Sequence, residues 1–220
     1  MPRFPALAAD PAAGLDALAL ALVAEFRDVD EAAVLARLGE LAAEVAAVAA
    51  TMDELDALAE VLGVRHGFAG AREDYDHPDN SMIDLVLERR SGLPIALSVV
   101  YVETARRAGI ALDGVGLSGH YVVGQFPATV PPAAPVLLDP FAGGVRIEPP
   151  GATAHAGELR PWGAHETALR MLNNLVGSYT RRNDLGRAIR AAELRLELPL
   201  ERDLAEALSA ELRGLRARLN

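Results

Sequence analysis

Between Gly92 and Gly109 runs a segment, Ile95 to Ala108, that is apolar nearly all round for its first two helical turns. A helix with one apolar stripe lies on a surface, whereas one without a polar face has to be surrounded by protein. Pro94 suits the first helical position, where its missing N–H leaves nothing unpaired, and Gly109 supplies the stop. The apolar stretch is interrupted by Ser98, Glu103 and Thr104 and falls well short of the ~20 residues that a bilayer requires. The rest of the chain must therefore wrap a core around this helix.

Residues before it read as helical. Leu15, Leu18, Leu22 and Phe26 recur at helical spacing, and Asp30 caps a second pattern through Val34, Leu38, Leu41 and Val45. A third begins near Met52, with Gly63 as its expected C-cap. Gly67 to Asn80 reads as a loop, followed by a short helix from Ser81 to Arg90 capped by Asn80 or Ser81. After Gly109 the period becomes strand-like over Gly114–Leu117, His120–Phe126 and Val136–Asp139, with a proline-rich surface loop from Pro127 to Pro135 and further turns at Gly143-Gly144 and Glu148 to Gly151. Helical periodicity returns over Ala164–Arg181, Asp184–Leu198 and Leu200–Leu219. The expectation is an α+β fold with a small antiparallel sheet, divided into a loose tail (1–14), a main domain (15–160) and a helical extension packed on it (161–220).

Composition narrows the function. The chain has no cysteine, which excludes disulfides, thiolate nucleophiles and cysteine-based zinc sites. Its formal charge of −10 argues against nucleic acid and anionic membranes as partners. No lysine occurs, and with the alanine excess this reads as coding bias. The N-terminus lacks the pattern of a signal peptide, so a cytoplasmic location is the default expectation. His77 and Asp79 sit in a polar loop without metal-ligand spacing; no metal and no cofactor is expected. Arg89 and Arg90 suit a helix end, the role of Glu88 is open, and His155 and His165 read as exposed.

Three runs stand in order: Gly92-Leu93-Pro94-Ile95-Ala96-Leu97-Ser98 opening the buried helix, Ser118-Gly119-His120-Tyr121-Val122-Val123 starting a strand, and Leu137-Leu138-Asp139-Pro140-Phe141 ending another. This order resembles the transglutaminase-like superfamily, in which a cysteine at the helix start attacks an acyl group and the His and Asp complete a triad. Together with Val86-Leu87-Glu88-Arg89-Arg90-Ser91, Ala105-Arg106-Arg107 and Gly114-Val115-Gly116-Leu117, the string from Asn80 to Asp139 is similar to the SirB branch, bacterial proteins that often carry a tetratricopeptide-like tail. Leu172, Leu175, Tyr179 and Ala188 fall at the spacings of one such helix pair, although Val176 stands where a small glycine is usual and Pro199 is one place off.

The departure is at the nucleophile. The resemblance places the cysteine position near Pro94 to Ala96, where no side chain can attack. It implies a His120–Asp139 pair on neighbouring strands, within hydrogen-bond distance and facing the helix start, with Asn80, Ile95, Ser98, Ser118 and Tyr121 as ligand contacts. A serine on a buried helix more often bonds its own backbone, so Ser98 and Ser118 are weak nucleophile candidates. The reading this favours is a binding or regulatory module for a peptide- or acyl-type ligand or an unidentified protein partner. An amidase, peptidase or acyltransferase using the His120–Asp139 dyad is the alternative, and a structural subunit with a vestigial cleft is the third. With apolar residues at the helix start, Ile95 should be buried and the cleft beside His120 narrow or shallow.

Overall fold

The computed structural model describes residues 2–127, 134–148 and 159–219. Residues 128–133 of the proline-rich stretch, the turn residues Pro149 to Gly151, and His155 lie outside the described residues.

The chain opens with α1 (Phe4–Ala8), α2 (Leu15–Ala24) and α3 (Glu31–Ala49), the last capped by the Asp30 side chain accepting from the Ala33 amide. The expected loose tail is thus partly helical, because Phe4 is fully buried in the core and fixes α1. α4 (Glu54–Leu58) continues into a π-helical segment, Ala59–Arg65. Gly63 lies inside that segment and is not a C-cap. Its role is close approach: a Cβ there would fall 1.9 Å from the Gly143 carbonyl oxygen.

A two-residue strand β1 (Ala69–Gly70) pairs in parallel with β2 (Ser91–Gly92), which leads into the central helix α6 (Pro94–Arg107). Between them lie a 3₁₀ turn, Pro78–Ser81, and α5 (Ile83–Arg89). Asn80 and Ser81 belong to the turn, and Met82 occupies the N-cap instead. Every residue from Pro94 to Tyr101 is buried, as an all-apolar helix start requires, and α6 packs chiefly against α3 and β4. Its polar end is anchored by charge. Glu103, 1% exposed, meets Arg107 at 2.5 Å and Arg106 at 2.9 Å, and both arginines reach Asp16 on α2.

The sheet is antiparallel in the order β3 (Asp113–Leu117), β4 (His120–Gln125), β5 (Val136–Asp139), β6 (Val145–Ile147). β6 is too short to show a period in the sequence. Gly114 bridges to Trp162 at the β3 edge, and Tyr121, Val123 and Leu138 join the main core. The α+β architecture is as expected.

Three helices follow: α7 (Ala164–Arg181), α8 (Leu185–Arg195) and α9 (Arg202–Leu219). Leu172, Leu175, Tyr179 and Ala188 belong to the same apolar cluster as Leu18, Leu22 and Ile83. The Phe26 and Tyr179 rings lie 5.5 Å apart across that contact. Arg195, 3% exposed, ties the three helices through Asn173 Oδ1 at 3.0 Å and Glu211 at 2.9 Å.

Candidate functional site

Two hydrogen-bonded strands bring the site together. His120 opens β4 directly after the Ser118-Gly119 turn, where Gly119 takes φ +74°, and Asp139 closes the neighbouring β5. His120 Nε2 lies 3.1 Å from Asp139 Oδ2. The imidazole is 31% exposed and the carboxylate 16%, so the ring faces solvent with the acid behind it.

Asp139 is held from its own turn. Its Oδ1 accepts from the Phe141 amide at 2.9 Å, and its carbonyl accepts from the Gly144 amide at 2.8 Å. The turn is pinned in two further places. Gly143 meets Gly63 without room for a Cβ, and a Cβ on Gly144 would stand 2.9 Å from the Tyr101 hydroxyl. Both glycines have positive φ, near +80°, which side chains rarely tolerate. Tyr101 is fully buried, and its hydroxyl has no hydrogen-bond partner among the described residues. Burial, and then the charge of Asp139, push its ionisation far up, so a neutral phenol lies behind the acid. Sequence reasoning misses Tyr101; the available signal is a phenol within an otherwise apolar helix.

In the sequence Phe141 reads only as the end of the Asp run, yet in the fold it organises the surface. Its ring stands edge-on to His120 at 6.3 Å and to Tyr75 at 6.0 Å, with the Arg72 guanidinium 5.9 Å over its face. A Cβ on Gly70 would fall 2.2 Å from the same ring. Phe141 therefore joins His120 to the strand pair that leads into α6.

The expected ligand contacts divide by burial. Ile95 is 1% exposed, Ser98 0% and Tyr121 2%, so none of these three presents surface to a ligand from solvent. Tyr121 is satisfied inside the core: its hydroxyl lies 2.8 Å from Thr167 Oγ1, and burial raises its ionisation to about 12. Ser98 Oγ is buried without a partner among the described residues. Asn80 is buried too, and its amide donates to the carbonyls of Asp74 and Tyr75 at 3.0 and 3.1 Å. It positions the loop that carries Tyr75. Ser118 is exposed in the turn before His120.

His77 accepts from the Asp79 amide, and Asp79 pairs with Arg89 at 2.8 Å. His165, expected to be exposed, is half-buried with Nε2 unpartnered among the described residues. Those residues contain no group of three or more His, Asp or Glu able to hold a metal ion. A cavity of about 620 Å³ opens between α3 and α5, lined by Arg27, Arg37, Asp84, Glu88 and Arg90 among others. It shares no lining residue with the His120–Asp139 pair.

A central helix followed by a His strand and an Asp strand, with the two side chains in contact, defines the class. The Transglutaminase-like superfamily pattern matches residues 32–174, more than half of the chain, and the chain belongs to that superfamily. The match runs into α7. A UPF0162 protein of Xylella fastidiosa (strain 9a5c) is 38% identical over 148 residues, covering 60% of this chain and 51% of the relative. A UPF0162 protein of Pseudomonas aeruginosa is 29% identical over 143 residues, covering 59% and 51%. F-box only protein 21 of Homo sapiens is 33% identical over 97 residues, covering 42% of this chain and 15% of that protein. The chain spans about half the length of the bacterial relatives it matches. No solved structure gives a significant match. Among the described residues, no helix is long and apolar enough to cross a membrane.

Proposed function

We propose that this chain is a non-thiol transglutaminase-like module that binds a peptide- or acyl-type group, carried by a ligand or a protein partner, at the His120–Asp139 edge without transferring it. One observation carries the reading. The His–Asp pair is in place at 3.1 Å and open to solvent on the His side, while the helix start where the family's nucleophile would stand is closed by buried Pro94, Ile95 and Ala96. With Nε2–H directed at the Asp139 carboxylate, Nδ1 of the neutral ring can accept from the N–H of an amide group, and no side chain at the helix start is able to attack that group's carbonyl. The SirB branch, the tetratricopeptide-like character of α7–α8, the division at residue 161 and a cytoplasmic location belong to the same reading.

A second reading has its own support. His120 Nδ1 has no partner among the described residues, which is the state a general base acting on water needs.

The test is to follow the His120 ring signals by NMR while titrating the neutral peptide N-acetyl-glycyl-glycine amide, and to assay hydrolysis of that peptide and of p-nitrophenyl acetate. Saturable shifts that vanish in His120→Ala, without turnover, support binding. Turnover abolished by His120→Ala replaces the binding reading with the enzyme. No shift and no turnover leaves only the structural subunit.

A further inference from the structure

The cavity of about 620 Å³ between α3 and α5 differs in charge at its two ends. The two helices border it side by side, with Val34 and Arg37 on one wall, Asp84 and Leu87 on the other, and Arg90 just past the end of α5. At one end the Arg27–Asp84 ion pair joins the loop before α3 to the start of α5. At the other end Arg37 and Arg90 both reach His66. Arg37 Nη2 donates to the ring Nδ1 at 3.2 Å, and Arg90 Nη1 donates to the backbone carbonyl at 3.4 Å. A guanidinium only donates, so Nδ1 accepts and the ring's Nε2–H goes to Glu44 of α3 at 2.8 Å. Two cations are thus brought to one place by contacts to a single anchored residue.

What the walls leave unpaired also differs between the ends. Arg27 and Asp84 neutralise each other, and Asp30 is occupied by the Ala33 amide. Asp28, beside them, has no partner among the described residues. At the far end Arg90 has no carboxylate partner among those residues, and Arg37 keeps N–H groups beyond those on Glu40 and His66. Glu88, on the exposed rim, is a second free acid, which disfavours a simple anion as the occupant. Between the ends the buried Val34 and Leu87 form an apolar floor. An acidic end, an apolar middle and a cationic end match an ammonium, an apolar group and a carboxylate in that order. From Asp30 to Arg37 the helix rises about 10 Å, the span of about three extended residues.

We propose that this cavity binds a short zwitterionic peptide, about three residues long, with its amino terminus toward Asp28, its middle side chain on Val34 and Leu87, and its carboxylate on Arg90 and Arg37. The site is separate from the His120–Asp139 edge and does not depend on how that edge is read. Arg90 supplies an uncommitted planar donor to the carboxylate, and Arg37 adds a second whose position His66 sets. An ω-amino acid of the same span shares this chemistry.

The experiment uses the full chain and four probes at one ionic strength and neutral pH: glycyl-leucyl-glycine, its N-acetyl form, its amide, and ω-aminooctanoic acid. Binding is read by calorimetry. The free peptide is expected to bind about tenfold tighter than either capped form. Arg90→Gln should remove the preference over the amide, and Asp28→Asn the preference over the acetylated form, each leaving the other in place. Both side chains are exposed, so neither change disturbs the core. His120→Ala should leave all of this binding unchanged. Equal binding of the three peptide forms, or preferences that survive both substitutions, overturns the site. So does loss of binding in His120→Ala, which would place the peptide at the other edge. Binding of ω-aminooctanoic acid as tight as that of the peptide would support the two-ended charge site and overturn the peptide as its occupant. No binding by any probe overturns the site and leaves the His120–Asp139 reading to its own test.

Discussion

His120 and Asp139 meet at 3.1 Å across the β4–β5 pair, and two residues beyond the acid Phe141 turns back to stand edge-on to the same imidazole. A single turn therefore sets both the orienting carboxylate and the aromatic wall of the site. What holds that turn decides whether the site exists at all.

Gly63 is one such support, since a methyl group there would overlap the Gly143 carbonyl. Gly63→Ala is expected to destabilise the fold by about 1–3 kcal/mol, in the range for overpacking, and to shift the His120 ring signals as the turn moves. Gly39, exposed on α3 where an added Cβ would meet nothing within 4 Å, is the control. Gly39→Ala should stabilise by about 0.5–1 kcal/mol and leave His120 unmoved. Urea unfolding with NMR decides; equal effects from the two changes would refute the role given to Gly63.

Why the site is only half legible in the sequence follows from the same residues. The resemblance to the transglutaminase-like superfamily implies a His120–Asp139 pair on neighbouring strands, so that pairing can be expected from the sequence. The support cannot. Gly63 reads as a helix stop because a π-helical turn has no separate sequence period, and only the fold brings Gly143 against it. Phe141 and Tyr75 are 66 positions apart by their numbers and meet only when β1 and the Asp139 turn pack together. Helices are readable because α6 and α7 carry long apolar patterns, whereas three-residue β6 and the five-residue α1 carry none. Ser98 and Tyr121 look like site residues by proximity along the chain, but they face the core.

Glu103 ties α6 to α2 through Arg107 and Arg106. Removing one partner of a buried pair leaves the other charge uncompensated, which costs about 3–5 kcal/mol. Glu103→Ala should lower stability by less than that, about 1–3 kcal/mol, because Arg107 loses its buried acid but keeps Asp16 and Arg106 is largely exposed. Chemical denaturation of the variant checks this, and a loss near zero would show that the cluster is solvated in practice.

The start of α7 should be acid-sensitive. Arg160 holds the Glu166 carboxyl below its usual range, helped by the Gly163 amide. A carboxyl with a lowered folded value contributes stability that is fully present above its unfolded value and lost as pH falls through the folded one. Both side chains are largely exposed, at 56% and 42%, so the effect is small. Glu166→Gln should lower the Tm at pH 7, and the difference from the unchanged chain should close as the pH is taken below the carboxylate range. A difference that persists at low pH would show that the pair contributes nothing through charge.

The last expectation concerns the missing nucleophile. A reactive thiolate needs exposure and a positive surrounding, from a helix N-terminus or a nearby cation. Ile95 and Ala96 stand at the first turn of α6 but are 1% and 0% exposed, packed among apolar neighbours. That environment raises a thiol's ionisation and blocks access, so Ile95→Cys and Ala96→Cys should give thiols that iodoacetamide labels slowly in the folded chain. Ser118→Cys, in the exposed turn before His120, should label fast and serves as the control. Neither helix-start variant should show a burst of acylation with p-nitrophenyl acetate. Dipole and imidazole alone do not make a catalyst without room for the acyl group and donors for its oxyanion. A low-pKa, fast-labelling thiol with burst acylation at either position would mean that the machinery is complete except for one sulfur atom, and the binding-module reading would have to give way to a disabled enzyme.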